Sequence, residues 1–229
     1  MEPIKIFIGY DHAESVAWHV LAHSILMRSS APVSLIPINI GNIDKSVFNR
    51  PRDQKQSNEF AFTRWLVPYL CNYRGCAIFM DCDMLLRTDI TELVKLYDEQ
   101  YAVQVVKHDY VPKDDIKYLG NKQTSYNKKN WSSVMMFNCA ACKMLTPEYI
   151  NTASGLELHQ FKWLSSDDMI GALPATWNWL VGEYDYNPHV GIVHFTVGGP
   201  YFKEYAHCDY SAEWRREYAG MTNCAQLHS

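Results

Sequence analysis

A short apolar segment followed by two carboxylates constrains this chain more than any other sequence feature. Residues 77–80 are Ala-Ile-Phe-Met, and Asp81-Cys82-Asp83 follows them directly. A short, uninterrupted apolar segment is typical of a strand that is buried on both faces of a sheet. Because side chains alternate along an extended chain, Asp81 and Asp83 are expected to point one way and Cys82 the other. The pattern therefore predicts two carboxylates at the C-terminal end of a buried strand, where open α/β sheets bind ligands.

Two carboxylates on one face suit a hard divalent cation, although aspartates are also common in turns and at helix N-termini. A third candidate ligand is His194, which follows Gly-Ile-Val at 191–193 and precedes Gly198 and Gly199. Imidazole is a frequent ligand of transition metals, and paired glycines let a backbone approach phosphates closely. The alternatives are a strand histidine with one backbone partner and a simple glycine turn.

Strand-like and helix-like segments alternate along the chain. Strands are predicted at 4–8, 33–39, 77–80, 102–106, 133–137 and 192–195, and helices at 13–28, 60–70, 89–97, 140–145 and 167–172. Asp11 with Glu14, and Asp89 with Glu92, have the spacing of capping boxes. The alternation predicts an α/β fold with a single Rossmann-like, mostly parallel sheet flanked by helices, in one domain over residues 1–229. The polar, lysine-rich segment 109–129 is expected to cover the edge of the site.

Composition excludes several classes of function. The chain has 229 residues, of which 48% are hydrophobic, so we expect a globular, well-packed protein and not a disordered one. A net charge of −4 without a Lys/Arg-rich block argues against binding to duplex nucleic acid. No apolar stretch is long enough to cross a bilayer, and no secretory signal is evident. With seven cysteines in no framework spacing, a cytoplasmic location is expected.

Further polar residues allow both functional and structural interpretations. Asp167 and Asp168 precede an apolar segment, so they are candidates to contact a substrate hydroxyl or acids in the first turn of a helix. Asp11 is a candidate to recognise a nucleotide base or to cap a helix. Cys139 and Cys142 have the spacing of a redox pair, but small buried thiols packed under a helix are the favoured interpretation.

These motifs, in this order, resemble the GT-A fold of nucleotide-sugar glycosyltransferases, in particular family 8 and its relatives. The resemblance begins with the strand followed by Asp-x-Asp and the late His-Phe-Thr-x-Gly at 194–198. Residues 8–11 (Ile-Gly-Tyr-Asp) resemble the first strand and nucleotide-contacting loop of that family. Residues 62–70 resemble its helix before the metal strand, and residues 132–138 resemble the strand that presents small residues to the sugar.

The resemblance implies a metal-dependent transfer of a sugar from a nucleotide-diphosphate sugar to an acceptor hydroxyl in a glycan or glycoconjugate. A UDP-sugar is implied by the family alone. Asp81, Asp83 and His194 are implied to hold Mn²⁺ or Mg²⁺, and the nitrogen ligand favours Mn²⁺. The implied donor-binding residues are Gly9, Tyr10, Asp11, Arg64, Asp81, Asp109, Ser132, Ser133, Gly198 and Gly199. No oligomeric state follows from the sequence.

The chain departs from the family pattern at three places. Asn-Ala/Ser-Gly is replaced by Trp-Ser-Ser at 131–133, and Asp-Gln-Asp by Ser-Asp-Asp at 166–168. Lys-Pro-Trp after the histidine is replaced by Gly-Pro-Tyr at 199–201, which makes Lys203 the candidate to contact phosphate. Two courses stay open: inversion with Asp167 or Asp168 as catalytic base, or retention with assistance from the leaving phosphate.

Two other functions are compatible with the sequence. A nucleotidyltransferase acting on a sugar phosphate can also use paired carboxylates on an α/β sheet, but the loop at 9–12 (Gly-Tyr-Asp-His) is acidic and not glycine-rich. A non-catalytic protein that binds a nucleotide sugar or a carbohydrate is the third possibility. Such a protein would have lost catalysis, and the intact set of Asp81, Asp83 and His194 argues against that alternative.

Overall fold

The computed structural model describes residues 2–52, 56–109 and 127–223. The strands in these ranges are β1 (Ile4–Gly9), β2 (Val33–Ile38), β3 (Cys76–Met80), β4 (Met84–Leu86), β5 (Val103–Val106), β6 (Val134–Asn138), β7 (Ile170–Leu173), β8 (Trp179–Leu180) and β9 (Ile192–His194). The helices are α1 (Ser15–Arg28), α2 (Val67–Leu70), α3 (Ile90–Val94), α4 (Pro147–Thr152), α5 (Gly155–His159) and α6 (Ser211–Thr222).

The main sheet has six strands in the order β2-β1-β3-β6-β5-β7. Strands β1 and β2, β1 and β3, and β5 and β7 pair in parallel, whereas β6 runs antiparallel to both β3 and β5. Five strands therefore share one direction and β6 opposes them. The predicted mostly parallel α/β sheet is confirmed, and the reversed strand was not anticipated. Residues at the centre of this sheet are fully buried, as the unbroken apolar segment 77–80 predicted.

A second, smaller sheet has the strand order β4-β9-β8. Strand β9 pairs antiparallel with β4, and Met84 lies opposite His194. The last strand was predicted at 192–195, and the structure confirms a strand there. It belongs, however, to this three-stranded sheet and not to the main one. His194 therefore sits beside the chain segment that follows the paired aspartates.

Helix α1 joins the two sheets. Its buried residues Val20, Leu21, Ser24 and Ile25 recur at intervals of three and four, which places them on one face of the helix. Ser24 Oγ accepts the N–H of Leu86 in β4 at 3.2 Å, and Leu21 and Ile25 belong to the core of the main sheet. The helix thus packs across the segment that connects β3 to β4.

Helix α6 is tied to α1 by charged side chains. The buried carboxylate of Glu217 lies 2.5 Å from His23 Nδ1 and accepts a hydrogen bond from Arg28 Nη2 at 2.6 Å. Arg87, just after β4, pairs with Glu213 at 2.6 Å. These contacts hold the C-terminal helix over the smaller sheet. No helix in the described ranges is long and apolar enough to cross a bilayer.

Several predicted helices were wrong in extent or type. Segment 167–172 is a 3-10 turn over Asp167–Met169 followed by β7, because Ile170 pairs with Val103 of β5 and its apolar neighbours are buried. The helix expected near 140–145 begins only at Pro147, a residue favoured in the first helical turn. The helix expected at 60–70 is a 3-10 turn, Thr63–Leu66, and the single turn of α2. Most of the lysine-rich segment 109–129 lies outside the described residues.

The predicted capping boxes are only half right. Asp11 Oδ1 accepts the N–H of Ala13 at 2.8 Å, and Asp89 Oδ1 accepts the N–H of Thr91 at 2.9 Å, so both aspartates do cap helical turns. Their expected partners face elsewhere. Glu14 accepts the hydroxyl of Tyr201, and Glu92 pairs with Lys95.

Gly9 is required by the packing of an aromatic ring against the end of β1. A Cβ at this position would lie 2.3 Å from Cγ of Phe60, whose ring is buried in the core. We expect Gly9→Ala to lower the free energy of unfolding by about 1–3 kcal/mol, because the ring must move out of a filled site. Chemical denaturation monitored by circular dichroism measures this change.

Gly220 provides the matched control. It lies in α6, where an added Cβ would make an ordinary 3.6 Å contact with His23. We expect Gly220→Ala to raise the free energy of unfolding by about 0.5–1 kcal/mol, because alanine restricts the unfolded chain. Equal effects at the two glycines would contradict the packing account.

Candidate functional site

The two aspartates lie where the chain passes from one sheet to the other. Beyond the end of β3, the N–H of Asp81 donates to the carbonyl of Ser133 at 2.9 Å, which extends the pairing of β3 with β6. Immediately before β4, the carbonyl of Asp83 accepts the N–H of Phe195 at 2.8 Å, which extends the pairing of β4 with β9. The backbone is therefore held by a different sheet at each aspartate.

This crossing brings three side chains together. A ligand atom from each of Asp81, Asp83 and His194 lies within 4.8 Å of the other two, and all three residues are buried. His194 Nε2 is 3.3 Å from Asp83 Oδ1. The sequence predicted that Asp81 and Asp83 face the same side, and the convergence of their carboxylates agrees with this. Two oxygen donors and an imidazole at these distances form a set that can hold a divalent cation.

Carboxylates dominate the electrostatics around this cluster. The pKa of the Cys82 thiol is raised well above its usual range, first by burial and then by the charges of Glu14, Asp83, Asp81 and Asp11. Glu14 is itself only 1% exposed. Four acidic groups therefore act on one buried position. Such a concentration of negative charge in a low-dielectric region favours a bound cation.

Arg64 balances one of these charges. Its Nη1 lies 2.8 Å from Asp81 Oδ1 and also donates to the carbonyl of Ser132 at 2.8 Å. The guanidinium carbon is 5.0 Å from the centre of the Phe79 ring and 5.2 Å from that of Phe60. The expected arginine is thus buried against the base of the cluster and orients Asp81.

The other ring nitrogen of His194 contacts a residue that sequence reasoning missed. His194 Nδ1 is 2.9 Å from Asn178 Oδ1, and Asn178 is fully buried. Asn178 lies between two tryptophans, 16 positions before His194 in the sequence, in an aromatic segment without a recognised motif. A single asparagine there carries no signal, because the contact depends on the pairing of β9 with β8.

Ser132 and Ser133 line the main-sheet side of the cluster. The Oγ of Ser132 is 2.8 Å from Nδ1 of His159, and the Oγ of Ser133 donates to the carbonyl of Asn130 at 2.6 Å. Both serines are buried. Burial, followed by the charge of Arg64, lowers the pKa of His159 to about 3. Its imidazole is therefore neutral around physiological pH.

The predicted nucleotide loop is built around Asp11. Besides its helix-capping bond, the second oxygen of Asp11 accepts the N–H of Glu59 at 3.0 Å. Tyr10 is half-buried, with its ring centre 5.3 Å from that of His12 and 6.4 Å from that of Trp18. Asp11 therefore at least holds this loop in place, as the capping interpretation predicted.

The paired glycines after His194 are shaped by two tyrosines. Gly198 has φ +157°, and a Cβ there would lie 2.3 Å from the Tyr205 ring. A Cβ on Gly199 would lie 2.2 Å from the Tyr201 ring. The Tyr201 hydroxyl donates to Glu14 at 2.6 Å, and burial followed by the charge of Glu14 raises its pKa well above the usual range. Lys203 is exposed and begins the next 3-10 turn.

Asp167 lies at a separate cavity of about 420 Å³, and Asp168 is the next residue along the chain. Asp167 lines it together with Lys128, and Asp167 Oδ1 is 2.6 Å from Lys128 Nζ. Asp168 Oδ2 accepts the hydroxyl of Ser166 at 3.0 Å. Neither acid belongs to the Asp81–Asp83–His194 cluster.

Asp109 directly follows His108 in the chain. Burial, and then the electrostatic effect of His194, lowers the pKa of His108 to about 3. A cavity of about 230 Å³ between α1, β4 and α6 is lined by none of the predicted site residues.

The cysteine pair does not have the properties of a redox centre. Burial raises the pKa of Cys142 to about 12. The pKa of Cys139 is raised by a hydrogen bond to the Cys71 thiol and then by burial. Thiols with raised pKa values are poor nucleophiles, which supports the packing interpretation.

No protein-family model matches the chain. Protein CDI of Arabidopsis thaliana is 43% identical over 224 residues, covering 94% of this chain and 86% of that protein. The chain belongs to the family of Protein CDI.

Solved structures with much lower identity show the fold. WbbM, described as a bifunctional glycosyltransferase, superposes with a TM-score of 0.65 at 14% identity, covering 95% of this chain. The galactosyltransferase LgtC, solved with donor and acceptor sugar analogs, gives 0.62 at 11% identity and covers 97% of this chain and 98% of its own. Mouse xyloside xylosyltransferase 1 gives 0.58 at 13% identity, with 87% of this chain covered. This chain spans only 50% of the WbbM chain. The predicted GT-A fold is confirmed, and the narrower likeness to family 8 stays a prediction.

The ion pair between Arg64 and Asp81 is buried, with 4% and 11% of the two side chains exposed. We expect Arg64→Met to lower the free energy of unfolding by about 3–5 kcal/mol, because Asp81 then keeps a buried charge without its arginine. Urea denaturation measures the change. Combining Arg64→Met with Asp81→Asn should recover most of the loss. Lys95→Met, which breaks an exposed pair with Glu92, should leave the midpoint nearly unchanged.

The half-buried His159, with its imidazole neutral, makes stability depend on pH. Its folded pKa of about 3 lies below the usual value of 6.5, so the unfolded chain binds a proton first as pH falls. The stabilising contribution is complete above about pH 6.5 and is lost between about pH 6.5 and 3. We expect His159→Gln to flatten the pH dependence of the unfolding free energy in that window, measured by denaturation at several pH values. An unchanged slope would contradict the burial of a neutral imidazole, and His207→Gln, at an exposed histidine, controls for losing an imidazole.

Proposed function

We propose that this chain is a metal-dependent glycosyltransferase that moves a sugar from a nucleotide-diphosphate sugar to an acceptor hydroxyl in a glycan or glycoconjugate. The observation that carries the proposal is the buried convergence of Asp81, Asp83 and His194 within 4.8 Å, at the junction of two sheets. The chain also shares the fold of solved glycosyltransferases, one of which was solved with donor and acceptor sugar analogs. The donor proposed is a UDP-sugar.

The cluster fits a divalent cation. It offers two carboxylates and one imidazole, and the surrounding acidic groups raise the pKa of Cys82 as expected in a strongly negative pocket. We assign Mn²⁺ as the preferred ion and Mg²⁺ as the alternative, because a nitrogen ligand suits Mn²⁺ better. When bound, such a cation supplies Lewis-acid stabilisation of the negative charge that develops on the leaving diphosphate.

The chain's own residues have distinct tasks in this proposal. Arg64 orients Asp81 through their 2.8 Å contact and holds that carboxylate in position. Gly9, Tyr10 and Asp11 are proposed to contact the nucleoside. Their loop is fixed by the two backbone hydrogen bonds that Asp11 accepts.

The loop after His194 is proposed to contact the diphosphate. The backbone of Gly198 and Gly199 is proposed to approach the phosphates, while the absent side chains of the two glycines leave room for the rings of Tyr205 and Tyr201. Lys203 is exposed and is proposed to supply the positive charge of the lysine that the family pattern has at position 199. Ser132, Ser133 and Asp109 are proposed to face the donor sugar.

The cavity lined by Asp167 and Lys128 is proposed to receive the acceptor. Asp167 lines this cavity and its side chain is 74% exposed, so it is the better placed of the two candidate bases. In an inverting reaction a base removes the proton of the acceptor hydroxyl, and Asp167 is the candidate, with Asp168 as the alternative. A retaining reaction assisted by the leaving phosphate needs neither. A cytoplasmic location is proposed as well, and the free thiols of the described cysteines suit a reducing compartment.

The donor class is tested by thermal shift with UDP, GDP and CDP, each with and without Mn²⁺. We expect a shift for UDP that requires Mn²⁺, because Asp81, Asp83 and His194 would hold a cation that would stabilise the negative charge of the diphosphate. A ligand at about 100 times its Kd adds about 2.7 kcal/mol of stability, which is readily measured. Asp83→Asn should abolish the Mn²⁺-dependent part, whereas Asp185→Asn, at an exposed aspartate, should retain it. The proposal is contradicted if none of the three nucleotides binds in the presence of any metal.

The catalytic base is tested by steady-state kinetics and by the anomeric configuration of the product. We expect Asp167→Asn to lower kcat by about 10²-fold or more, with the KM for the donor little changed, because a proton acceptor is lost. Lys128→Met keeps the carboxylate and removes only its 2.6 Å ion pair, so it should retain most of the rate. Unchanged turnover in Asp167→Asn, together with a retained configuration, would remove Asp167 from the role of base.

A further inference from the structure

Asn178 is buried between the two sheets and has contacts on both sides. Its Oδ1 lies 2.9 Å from His194 Nδ1, on the side of the smaller sheet. Its Nδ2 lies 3.2 Å from the carbonyl of Asn130 and 2.8 Å from the Oγ of Ser133, on the side of the main sheet. Asn178 therefore connects a residue of the metal cluster to the start of β6.

The contacts of Asn178 fix which end of its amide faces His194. The carbonyl oxygen of Asn130 only accepts hydrogen bonds, so the group that faces it must be the NH₂ of Asn178. The Ser133 hydroxyl donates its proton to the same carbonyl at 2.6 Å, so it accepts from Asn178. The amide oxygen is then left to face His194. Because that oxygen can only accept, Nδ1 of His194 must carry the proton.

The other nitrogen of His194 faces the carboxylates. Nε2 is 3.3 Å from Asp83 Oδ1, and the imidazole is 2% exposed. With its proton held at Nδ1, a neutral imidazole presents the lone pair of Nε2 to the point where Asp81 and Asp83 converge. Metal ligation by histidine needs this arrangement, since the ligating nitrogen cannot carry a proton.

We propose that Asn178 is a positioning residue that holds the proton of His194 on Nδ1 and aims Nε2 at the cation. This inference rests on the proposed metal-dependent function. The turn behind Asn178 has an uncommon backbone: Lys128 and Asn130 have φ values of 65° and 61°, a left-handed conformation that few non-glycine residues adopt. Asn130 Nδ2 also lies 3.3 Å from Thr196 Oγ1, two residues beyond His194, which joins this turn to the histidine loop.

The first readout is the tautomer of His194 in the metal-free protein. Two-bond ¹⁵N correlation spectra, recorded at a pH where the imidazole is neutral and assigned with His194→Gln, report which ring nitrogen carries the proton. We expect the Nδ1–H form in the wild type. Asn178→Asp retains an oxygen that accepts from Nδ1 and should keep this form. Asn178→Leu, which is similar in size, removes the acceptor and should give a mixture of tautomers.

The second readout is Mn²⁺ affinity, measured by titration calorimetry without nucleotide. We expect Asn178→Leu to raise the Kd about 10–100-fold, the range seen when the partner of a ligating histidine is removed. Asn178→Asp should recover part of this loss. Asn138→Leu is the matched control. Asn138 lies at the other end of β6, and its side-chain amide donates a hydrogen bond to the Glu99 carbonyl at 3.0 Å. This variant should change neither the tautomer nor the affinity.

The two readouts separate the inference from the proposed function. An unchanged tautomer in folded Asn178→Leu, or wild-type Mn²⁺ affinity in that variant, would overturn the positioning role. If Asn178→Leu fails to fold, the wild-type tautomer decides, because an Nε2–H form would overturn the inference and an Nδ1–H form supports it. If the wild type does not bind Mn²⁺, that result counts against the proposed function and not against the role of Asn178. The tautomer comparison would still support or overturn the assignment of the proton to Nδ1 of His194.

Discussion

The site depends on how the backbone crosses between the two sheets. On the side of the main sheet, the N–H of Asp81 donates to the carbonyl of Ser133 at 2.9 Å. On the side of the smaller sheet, the carbonyl of Asp83 accepts the N–H of Phe195 at 2.8 Å. Two independent sets of strand pairing thus fix the chain two residues apart. The spacing places both carboxylates on one face, and the antiparallel pairing of β4 with β9 delivers His194 to the same point. A shift of either pairing by one residue would turn its side chains to the opposite face.

This arrangement places acidic side chains in the interior of the folded protein, which is unfavourable for its stability. Asp81, Asp83 and Glu14 are all less than 9% exposed, and among the described side chains Arg64 forms an ion pair with Asp81. Removing ionised groups from water is unfavourable unless they are paired or bind a cation. Replacement by apolar residues would serve stability better. A carboxylate-rich pocket is therefore better explained by binding of a cation than by a contribution to folding, which supports the proposed metal site.

The local features of the fold followed from the sequence, and the long-range ones did not. The buried strand before Asp81, the helix over 15–28 and the caps at Asp11 and Asp89 depend on neighbouring residues, and all are present. The strand β7 was mistaken for a helix, because Ile170–Leu173 becomes a strand only by pairing with β5. The contact of Asn178 with His194 and the ion pair of Arg64 with Asp81 were not predicted, because each joins residues 16 or more positions apart. The position of His194 after an apolar segment made it a candidate ligand, and the resemblance to known enzymes favoured that interpretation over a strand histidine with one backbone partner.

The central claim is that Asp81, Asp83 and His194 together hold a divalent cation. Anomalous diffraction from a crystal grown with MnCl₂ and UDP, recorded above and below the manganese absorption edge, tests it most directly. The account predicts one strong anomalous peak between the three side chains, at ligand distances of about 2.0–2.3 Å, adjacent to the diphosphate. A nucleotide bound with no anomalous peak at the cluster, or manganese bound only at other positions, would contradict it.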